Sequence, residues 1–379
     1  MKGYFLFAPV EADNVGPGSG VELKVRAQHR ALQSWLDCEL LTLPVVTYRN
    51  SLWEKIVRRL PYTAAWRKWK YRGEFDGADF VYIRQVYHDQ SFLRYLRAIR
   101  AHNPGIKLIY EVPTYPFEPG PAAGKKKKRR SRNPYALKRS KSWKKIAAQM
   151  DRIATFYGQE RIAGVPCINM INGFDFSRVA LPERQLGNTI HLISVSATAY
   201  WHGYDRLIEG LRQYYENGGK RDVVYHLVGT VLPAHRSMVE HYGLQEHVIL
   251  HGPMHGEALR ALYCQAAIGI DVLGGHRKNY PVSSSLKSRE YCAYGLPVVT
   301  ASPVDFMPAD FPWQMLVPYD DSPIDLEQLV DFYQSVYGHT APAEVAAGIR
   351  SYAEQRCDMR VAMKPVADWL LRQAISEQN

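Results

Sequence analysis

The chain has 379 residues, of which 46% are hydrophobic and 22% charged. That is too long for one ordinary core and too apolar for disorder, so two folded domains are expected. The formal charge of +11 is concentrated: residues 124–150 hold twelve Lys and Arg and no acid, and without that segment the chain stands at −1.

No stretch reaches the roughly 18 uninterrupted apolar residues of a membrane span. The five cysteines are scattered and never form a C-x-x-C pair, which argues against a disulfide framework or structural zinc and for a reducing, cytoplasmic compartment.

The opening "MKGYFLFAPVEADN" has a short apolar run with no small-residue cleavage pattern after it. Residues 3–10 therefore read as a first buried strand rather than a signal peptide. Residues 21–36 place Val21, Val25, Leu32 and Leu36 near helical spacing. A strand "ELLTLPVV", a basic helical stretch around 51–72 and a strand at 79–86 follow. Next come a helix at about 90–102 and a strand at 107–113, then the basic segment, then strand-like runs at 152–158 and 167–175. This is the βαβα rhythm of a parallel sheet covered by helices.

Residues 177–188 break the rhythm with Pro182 and polar residues, and the domain boundary is placed there. The rhythm then restarts with strands at 189–197, 222–230, 247–252 and 267–273. Helices lie between them, at 203–215, near 234–243 and at 256–266. The stretch "PVSSSLKSREYCAYGLPVVTAS" (281–302) closes the series, and the chain reads as helical from about 324. One architecture is used twice. Two open α/β domains facing each other would enclose a central cleft at the carboxyl ends of their strands.

Several motifs narrow the chemistry. Gly16, Gly18 and Gly20 precede the first helix, but the G-x-G-x-G spacing and the missing acid after the next strand argue against a dinucleotide fingerprint. A glycine loop that hinges or contacts a substrate fits better. "GPAAGKKKK" has three residues between its glycines and no Ser or Thr after the lysine, so it is not a phosphate-binding P-loop. His247, His251 and His255 would share a face on a helix, but Val248, Ile249 and Leu250 mark a strand, which argues against a metal site.

In 281–302, Ser283, Ser284 and Ser285 are N-cap residues and Gly295 is the C-cap. The free N–H groups of that first turn, with Lys287 beside them, form an anion site suited to phosphate. Glu290, one turn on, can accept hydrogen bonds from the vicinal hydroxyls of a ribose. The alternative is a solvated Lys287–Glu290 pair contributing a few tenths of a kcal/mol.

With these residues in view, the second half resembles the nucleotide-binding domain of retaining GT-B glycosyltransferases, close to glycosyltransferase family 4. "HGYDRLIEGL" resembles the family's "KG-x-D-x-L-I" helix start, and "VVYHLVGT" its Val-Gly strand end at Gly229. "VILHGPMHGEALRALYCQAAIGIDV" and "REYCAYGLPVV" are similar to its later segments, in the same order. "YEVPTYPFE" and "ADFVYIRQ" in the first half resemble bacterial polysaccharide glycosyltransferases.

The resemblance implies an α/β, GT-B fold of two facing Rossmann-like domains. The N-terminal acceptor domain would span 1–180 with a basic loop at 124–145, and the nucleotide-sugar domain 189–355. A terminal helix at 356–379 would return to the first domain. It further implies a nucleoside-diphosphate sugar as substrate, no metal and no cofactor. Glu290, Ser284, Ser285 and Gly229 would bind the donor nucleotide, and Arg206 and Lys287 would neutralise the diphosphate leaving group. Gly18, Ser19 and Gly20 would form the glycine loop near donor and acceptor.

The chain also departs from the family pattern. Val282 stands where a second glutamate is frequent, and His202 where the "KG" lysine is. "SVSATAYWHG" lacks the usual arginine, and "EVPTYP" takes the place of the first-domain histidine. Arg84, Arg277 and Lys278 are further sources of charge.

The expected function is transfer of a sugar, with retention, to a glycan or lipid-linked acceptor in bacterial cell-surface polysaccharide synthesis. The enzyme would be peripheral on the inner face of the cell membrane. Lys125, Lys126, Lys127, Lys128, Arg129 and Arg130 would dock on anionic lipid, at roughly 1 kcal/mol per basic residue near such a surface. Tyr135 and Trp143 flank that run, and such aromatics favour headgroup depth. Two other classes remain open: a sugar-nucleotide epimerase of the same fold, and a non-enzymatic basic nucleic-acid binder. No nucleic-acid recognition motif accompanies the charge, so no specific nucleic acid is expected.

Overall fold

The computed structural model describes residues 1–9, 20–44, 69–84, 90–113, 141–156 and 158–376. They form two compact α/β units. The first holds the described residues up to Gly173 and resumes at Met359; the second runs from Phe174 to Asp358.

In the first unit the elements are β1 (Lys2–Phe7), α1 (Gly20–Gln33), β2 (Asp37–Thr42), β3 (Phe80–Arg84), α2 (Gln90–His102), β4 (Lys107–Val112), α3 (Lys141–Ala147), β5 (Arg152–Thr155), β6 (Arg161–Ile162) and β7 (Val165–Asn169). The second unit holds β8 (Ile190–Val195), α4 (Tyr204–Glu216), β9 (Val223–Val228), α5 (Pro233–His241), β10 (Val248–Gly252), α6 (Gly256–Gln265), β11 (Ile268–Ile270), α7 (Leu286–Ala293), β12 (Val298–Thr300), β13 (Gln314–Leu316), α8 (Leu326–Tyr337) and α9 (Pro342–Cys357). The final helix, α10 (Met359–Ser376), belongs to the first unit.

The first sheet has strand order β2-β1-β3-β4-β5-β7-β6, parallel except for the β6–β7 hairpin. Its central strands β1, β3 and β4 are largely apolar runs because both faces are covered. On one face α1 and α10 bury Val25, Leu32, Met363, Val366 and Leu370 against Phe5, Tyr82 and Ile109. On the other, α2 and α3 bury Phe92, Leu96, Ile99, Trp143 and Ile146 against Val81, Leu108 and Ile153. Each such side chain contributes about 1.5–3 kcal/mol of burial free energy.

Several boundaries differ from the sequence expectation. The strand expected through Val46 ends at Thr42. Most of the helical stretch expected at 51–72 lies outside the described residues, and 69–72 are not helical. The strand expected at 167–175 instead spans Val165–Asn169 and pairs with Arg161–Ile162 in a hairpin that turns through Ala163 and Gly164 at φ 52° and 87°. That left-handed pair suits a two-residue hairpin, but Ala-Gly replaces the usual Asn-Gly signal.

Trp143 needs a correction. It is 5% exposed and packs on Tyr110 at 5.8 Å between ring centroids, so it is a core residue and does not serve a surface. No described helix is long and apolar enough to cross a membrane.

The second sheet is wholly parallel, in the order β10-β9-β8-β11-β12-β13. Counted within the unit this is 3-2-1-4-5-6, the dinucleotide-binding order, with its topological switch point between β8 and β11. Those two strands share only the pairs Ile268–Leu192 and Gly269–Ile193. Beyond them the Tyr291 hydroxyl of α7 bridges the gap. It accepts from the Val195 N–H at 3.2 Å and donates to the Ile270 carbonyl at 3.1 Å.

Candidate functional site: the switch point of the second unit

Three segments meet at the carboxyl ends of β8 and β11: residues 196–203, residues 271–285 and the start of α7. The first two are locked together by backbone. The His202 carbonyl accepts from the Leu273 and Gly274 N–H groups at 2.8 and 3.2 Å. Gly203 permits that approach: its φ is 69°, and a Cβ there would lie 2.4 Å from the Gly274 nitrogen.

Helix α7 is set from both ends. Ser285 caps its start by accepting from the Lys287 N–H at 3.0 Å. Ser283 is tied by its N–H to the Pro303 carbonyl at 2.8 Å, and its own carbonyl accepts from the Asp305 N–H. The Ser284 N–H donates to the Tyr280 hydroxyl at 2.7 Å. At the other end, Arg184 donates to the Tyr294 carbonyl at 2.9 Å and Arg350 to the Ala293 carbonyl at 3.0 Å. Cations on the last carbonyls stabilise a helix end. Arg289, fully buried, binds both oxygens of Asp305 at 2.7 and 2.9 Å.

This anchoring aims Lys287. Its ammonium lies 3.5 Å from Asp271 Oδ1 and donates to the Tyr204 hydroxyl at 3.3 Å. Asp271 is fully buried, and its other oxygen accepts from the hydroxyls of Ser283 and Ser288. Burial works against the Lys287 charge, but Tyr204 and Asp271 outweigh it and hold its pKa above the ordinary value. His202, beside it, is pushed down to about 3 by burial and by Lys287, Lys278 and His235, so it is a neutral imidazole.

Glu290 is half-buried one turn further on. Burial pushes its carboxyl up, and Tyr263 and Arg178 offset this only in part. The Tyr263 hydroxyl lies near Glu290 at a geometry short of a hydrogen bond, and it is buried with no other partner among the described residues. Gly229 follows β9 with φ 121°, where a Cβ would meet the Ser196 carbonyl oxygen at 2.2 Å.

Other candidates have different surroundings. Arg206 is 2% exposed and donates through Nε to the Ser322 carbonyl at 2.6 Å, through Nη2 to the Pro318 carbonyl at 3.0 Å, and through Nη1 to the Leu273 carbonyl. The structure therefore makes it a brace between loops. Arg277 is fixed by Asp205, by Asp321 and by the Tyr200 carbonyl. Lys278 is exposed, with its ammonium 4.7 Å from the Trp201 ring. Gly20 begins α1 in the first unit, whereas Gly18, Ser19 and Lys125 to Arg130 lie outside the described residues.

Two features were missed in the sequence. Tyr200 and Trp201 stand 60% and 42% exposed beside the switch point, an aromatic ledge in the segment "SATAYWHG". Asp271 was read as part of a strand, and only its buried contact with Lys287 marks it. Together these groups can bind an anion at a helix start, hold hydroxyls, and stack a planar or sugar ring.

No protein-family profile matches the sequence, and no curated protein matches it. Solved structures do match. The chain is similar to HepE of Anabaena in complex with UDP-glucose, with TM-score 0.57 and 13% identity over 97% of this chain and 99% of that one. It is similar to a glycosyltransferase from Rickettsia africae, with TM-score 0.62 and 12% identity over 98% and 99%. It is also similar to sucrose-phosphate synthase from Thermosynechococcus elongatus, with TM-score 0.59 and 15% identity over all of both chains. At such identities the likeness shows the fold, that of the GT-B glycosyltransferases, with its two parallel-sheet α/β units.

Proposed function

We propose that the chain is a glycosyltransferase that moves a sugar from a nucleoside-diphosphate donor to a glycan or lipid-linked acceptor. The observation that carries this reading is Lys287, held by Asp271 and Tyr204 at the capped start of α7, on the switch point of a dinucleotide-type sheet. Departure of a nucleoside diphosphate builds negative charge, and a fixed cation at the positive end of a helix stabilises it. Asp271 keeps Lys287 charged and oriented before the donor arrives. Glu290 accepts from the ribose hydroxyls, and the Trp201 ledge offers a stacking face. Arg206 holds the loops after β11 and β13 in place, so the leaving-group charge falls mainly to Lys287.

The resemblance to glycosyltransferase family 4 supports the finer reading: retention at the anomeric carbon, no metal or cofactor, and a role in bacterial cell-surface polysaccharide synthesis. HepE was solved with UDP-glucose, which makes a uridine diphosphate sugar the first donor to try. The basic segment, with six consecutive charges at Lys125 to Arg130, suits docking on the anionic inner face of the cell membrane. The glycine loop at Gly18, Ser19 and Gly20 would border donor and acceptor. The test is a panel of nucleoside diphosphates and their sugars scored by thermal stabilisation, since a ligand of the native state raises its melting temperature. Stabilisation by none of them overturns the reading.

A further inference from the structure

At the carboxyl end of the first unit's sheet lies a buried ion pair that the nucleotide site does not use. Glu111, next to last in β4, is fully buried. Its Oε2 accepts from the Tyr82 hydroxyl of β3 at 2.6 Å and from Gln28 Nε2 of α1 at 2.8 Å. Its Oε1 lies 3.1 Å from Nε of Arg84, the last residue of β3. Burial favours the neutral acid, but Arg84, Lys24, Tyr82 and Gln28 outweigh it and hold the carboxyl below its usual range.

A dry carboxylate is costly unless charge and hydrogen bonds surround it. Two elements, β3 and α1, supply them here, and Gln28 Oε1 is buried with no hydrogen-bond partner among the described residues. Such an arrangement does little for stability that apolar side chains would not do better. It does fix one thing, the orientation of Arg84.

Arg84 has its side chain 12% exposed and approaches Glu111 most closely through Nε, an ion contact without hydrogen-bond alignment. Its terminal nitrogens Nη1 and Nη2 have no partner among the described residues and, unlike Nε, are not sealed from solvent. The edge left over carries parallel N–H donors, the geometry that receives a phosphate bidentately. It sits at the switch point of this sheet, between β1 and β3, where the Ala8 N–H donates to the Arg84 carbonyl at 3.2 Å. Ligands of open α/β sheets bind at that place. Lys24, on α1, adds a second positive charge felt by Glu111.

We propose that Arg84, braced by Glu111, is a phosphate-binding residue of the first unit, and that the group it takes is the phosphate of a lipid-linked acceptor. Phosphate capture stands on the geometry alone; the acceptor assignment rests on the glycosyl-transfer reading. Arg84 touches the ligand, and Glu111 is a positioning residue.

The test uses the full chain with Lys125 to Arg130 changed to glutamine and with Lys287→Met, so that neither the basic run nor the second unit's cation binds the probe. Inorganic pyrophosphate is titrated by calorimetry. Arg84→Gln weakens binding at least tenfold, read well below its own melting temperature, which falls because Glu111 loses its ion-pair partner. Arg84→Lys, a point charge without the fork, falls between. Glu111→Gln, which keeps the shape, weakens it several-fold. Unchanged affinity in Arg84→Gln overturns the phosphate site.

The second arm restores Lys287 and the basic run and measures transfer to a polyprenyl-diphosphate-linked sugar. Arg84→Gln raises the KM for that acceptor and leaves the donor KM alone. Equal acceptor KM in both proteins overturns the acceptor assignment. Failure of every nucleoside diphosphate of the panel to bind the parent chain would overturn the transfer reading while leaving the pyrophosphate result intact.

Discussion

The Lys287 ammonium stands 3.5 Å from Asp271 Oδ1, and Asp271 has no exposed surface. A cation at a helix start is thus fixed from beneath by a buried carboxylate that itself holds two serine hydroxyls. Asp271→Asn leaves Lys287 with one charge fewer and costs about 3 kcal/mol of stability, read from urea unfolding. Lys287→Met removes the charge meant for the diphosphate and weakens uridine diphosphate binding by roughly 1.5–3 kcal/mol, or tenfold or more, in a calorimeter. Because the folded pKa of Lys287 is raised, its contribution to stability is full below pH 10.5 and is lost as pH rises through the folded value. The Met variant lacks that alkaline loss.

Glu290 makes a distinct prediction. Burial raises its pKa in the free protein. Ribose hydroxyls donate to the ionised form and lower the pKa again, so nucleotide binding releases protons. Calorimetry at mildly acidic pH in buffers of different ionisation enthalpy should show this release. Glu290→Gln abolishes it and weakens binding by about 1–3 kcal/mol. Buffer-independent heats in the parent protein would remove Glu290 from the ribose site.

Three histidines are stacked across adjacent strands of the second unit. His191 Nδ1 meets His226 Nε2 at 3.0 Å, and His226 Nδ1 meets His251 Nε2 at 2.9 Å. Gln265 Nε2 lies 3.2 Å from His191 Nε2, and as an amide it can only donate. His191 and His226 then each accept on one side and donate on the other, His251 accepts at Nε2, and all three are neutral. Burial, then His191 and His251, push His226 from 6.5 down to about 4, and burial lowers the other two. A depressed histidine pKa means that the unfolded chain takes up protons first. Stability therefore falls as pH drops from 6.5 toward 4, by about 3 kcal/mol from His226. His226→Gln should flatten that slope in pH-dependent urea titrations.

Tyr291→Phe tests the bridge at the switch point. It removes the hydroxyl that joins the Val195 N–H to the Ile270 carbonyl and leaves both buried groups without it. The expected cost is about 1–3 kcal/mol in thermal or urea unfolding. A loss below about 0.5 kcal/mol would show that the strands are held without it.

The basic segment is tested with vesicles. Changing Lys125 to Arg130 to glutamine should reduce binding to vesicles containing phosphatidylserine by roughly a hundredfold or more at low salt. Neutral vesicles should bind both proteins alike. Equal binding of the two proteins to anionic vesicles rejects the docking role.

The doubly wound pattern, the restart of the rhythm after residue 188 and the capped start of α7 at Ser285 were legible in the sequence. Period, cap and breaker residues act within a few positions of one another. Ser285 does accept from the N–H two residues on, and Gly295 does take φ 68°. What those patterns could not reveal was the partner of each polar group. Lys287 and Tyr204 are 83 residues apart in the chain, and Gln28 and Glu111 are also 83 apart. The same separation of local and global signals explains the rest. Arg206 sits on a recognisable helix start, yet its carbonyl acceptors lie on loops 67 to 116 residues away. Trp143 borders a charged run, yet its ring fills the core beside Tyr110. Sequence periodicity determines which face of an element is buried. Only the order in which the strands assemble decides which charges meet beneath it.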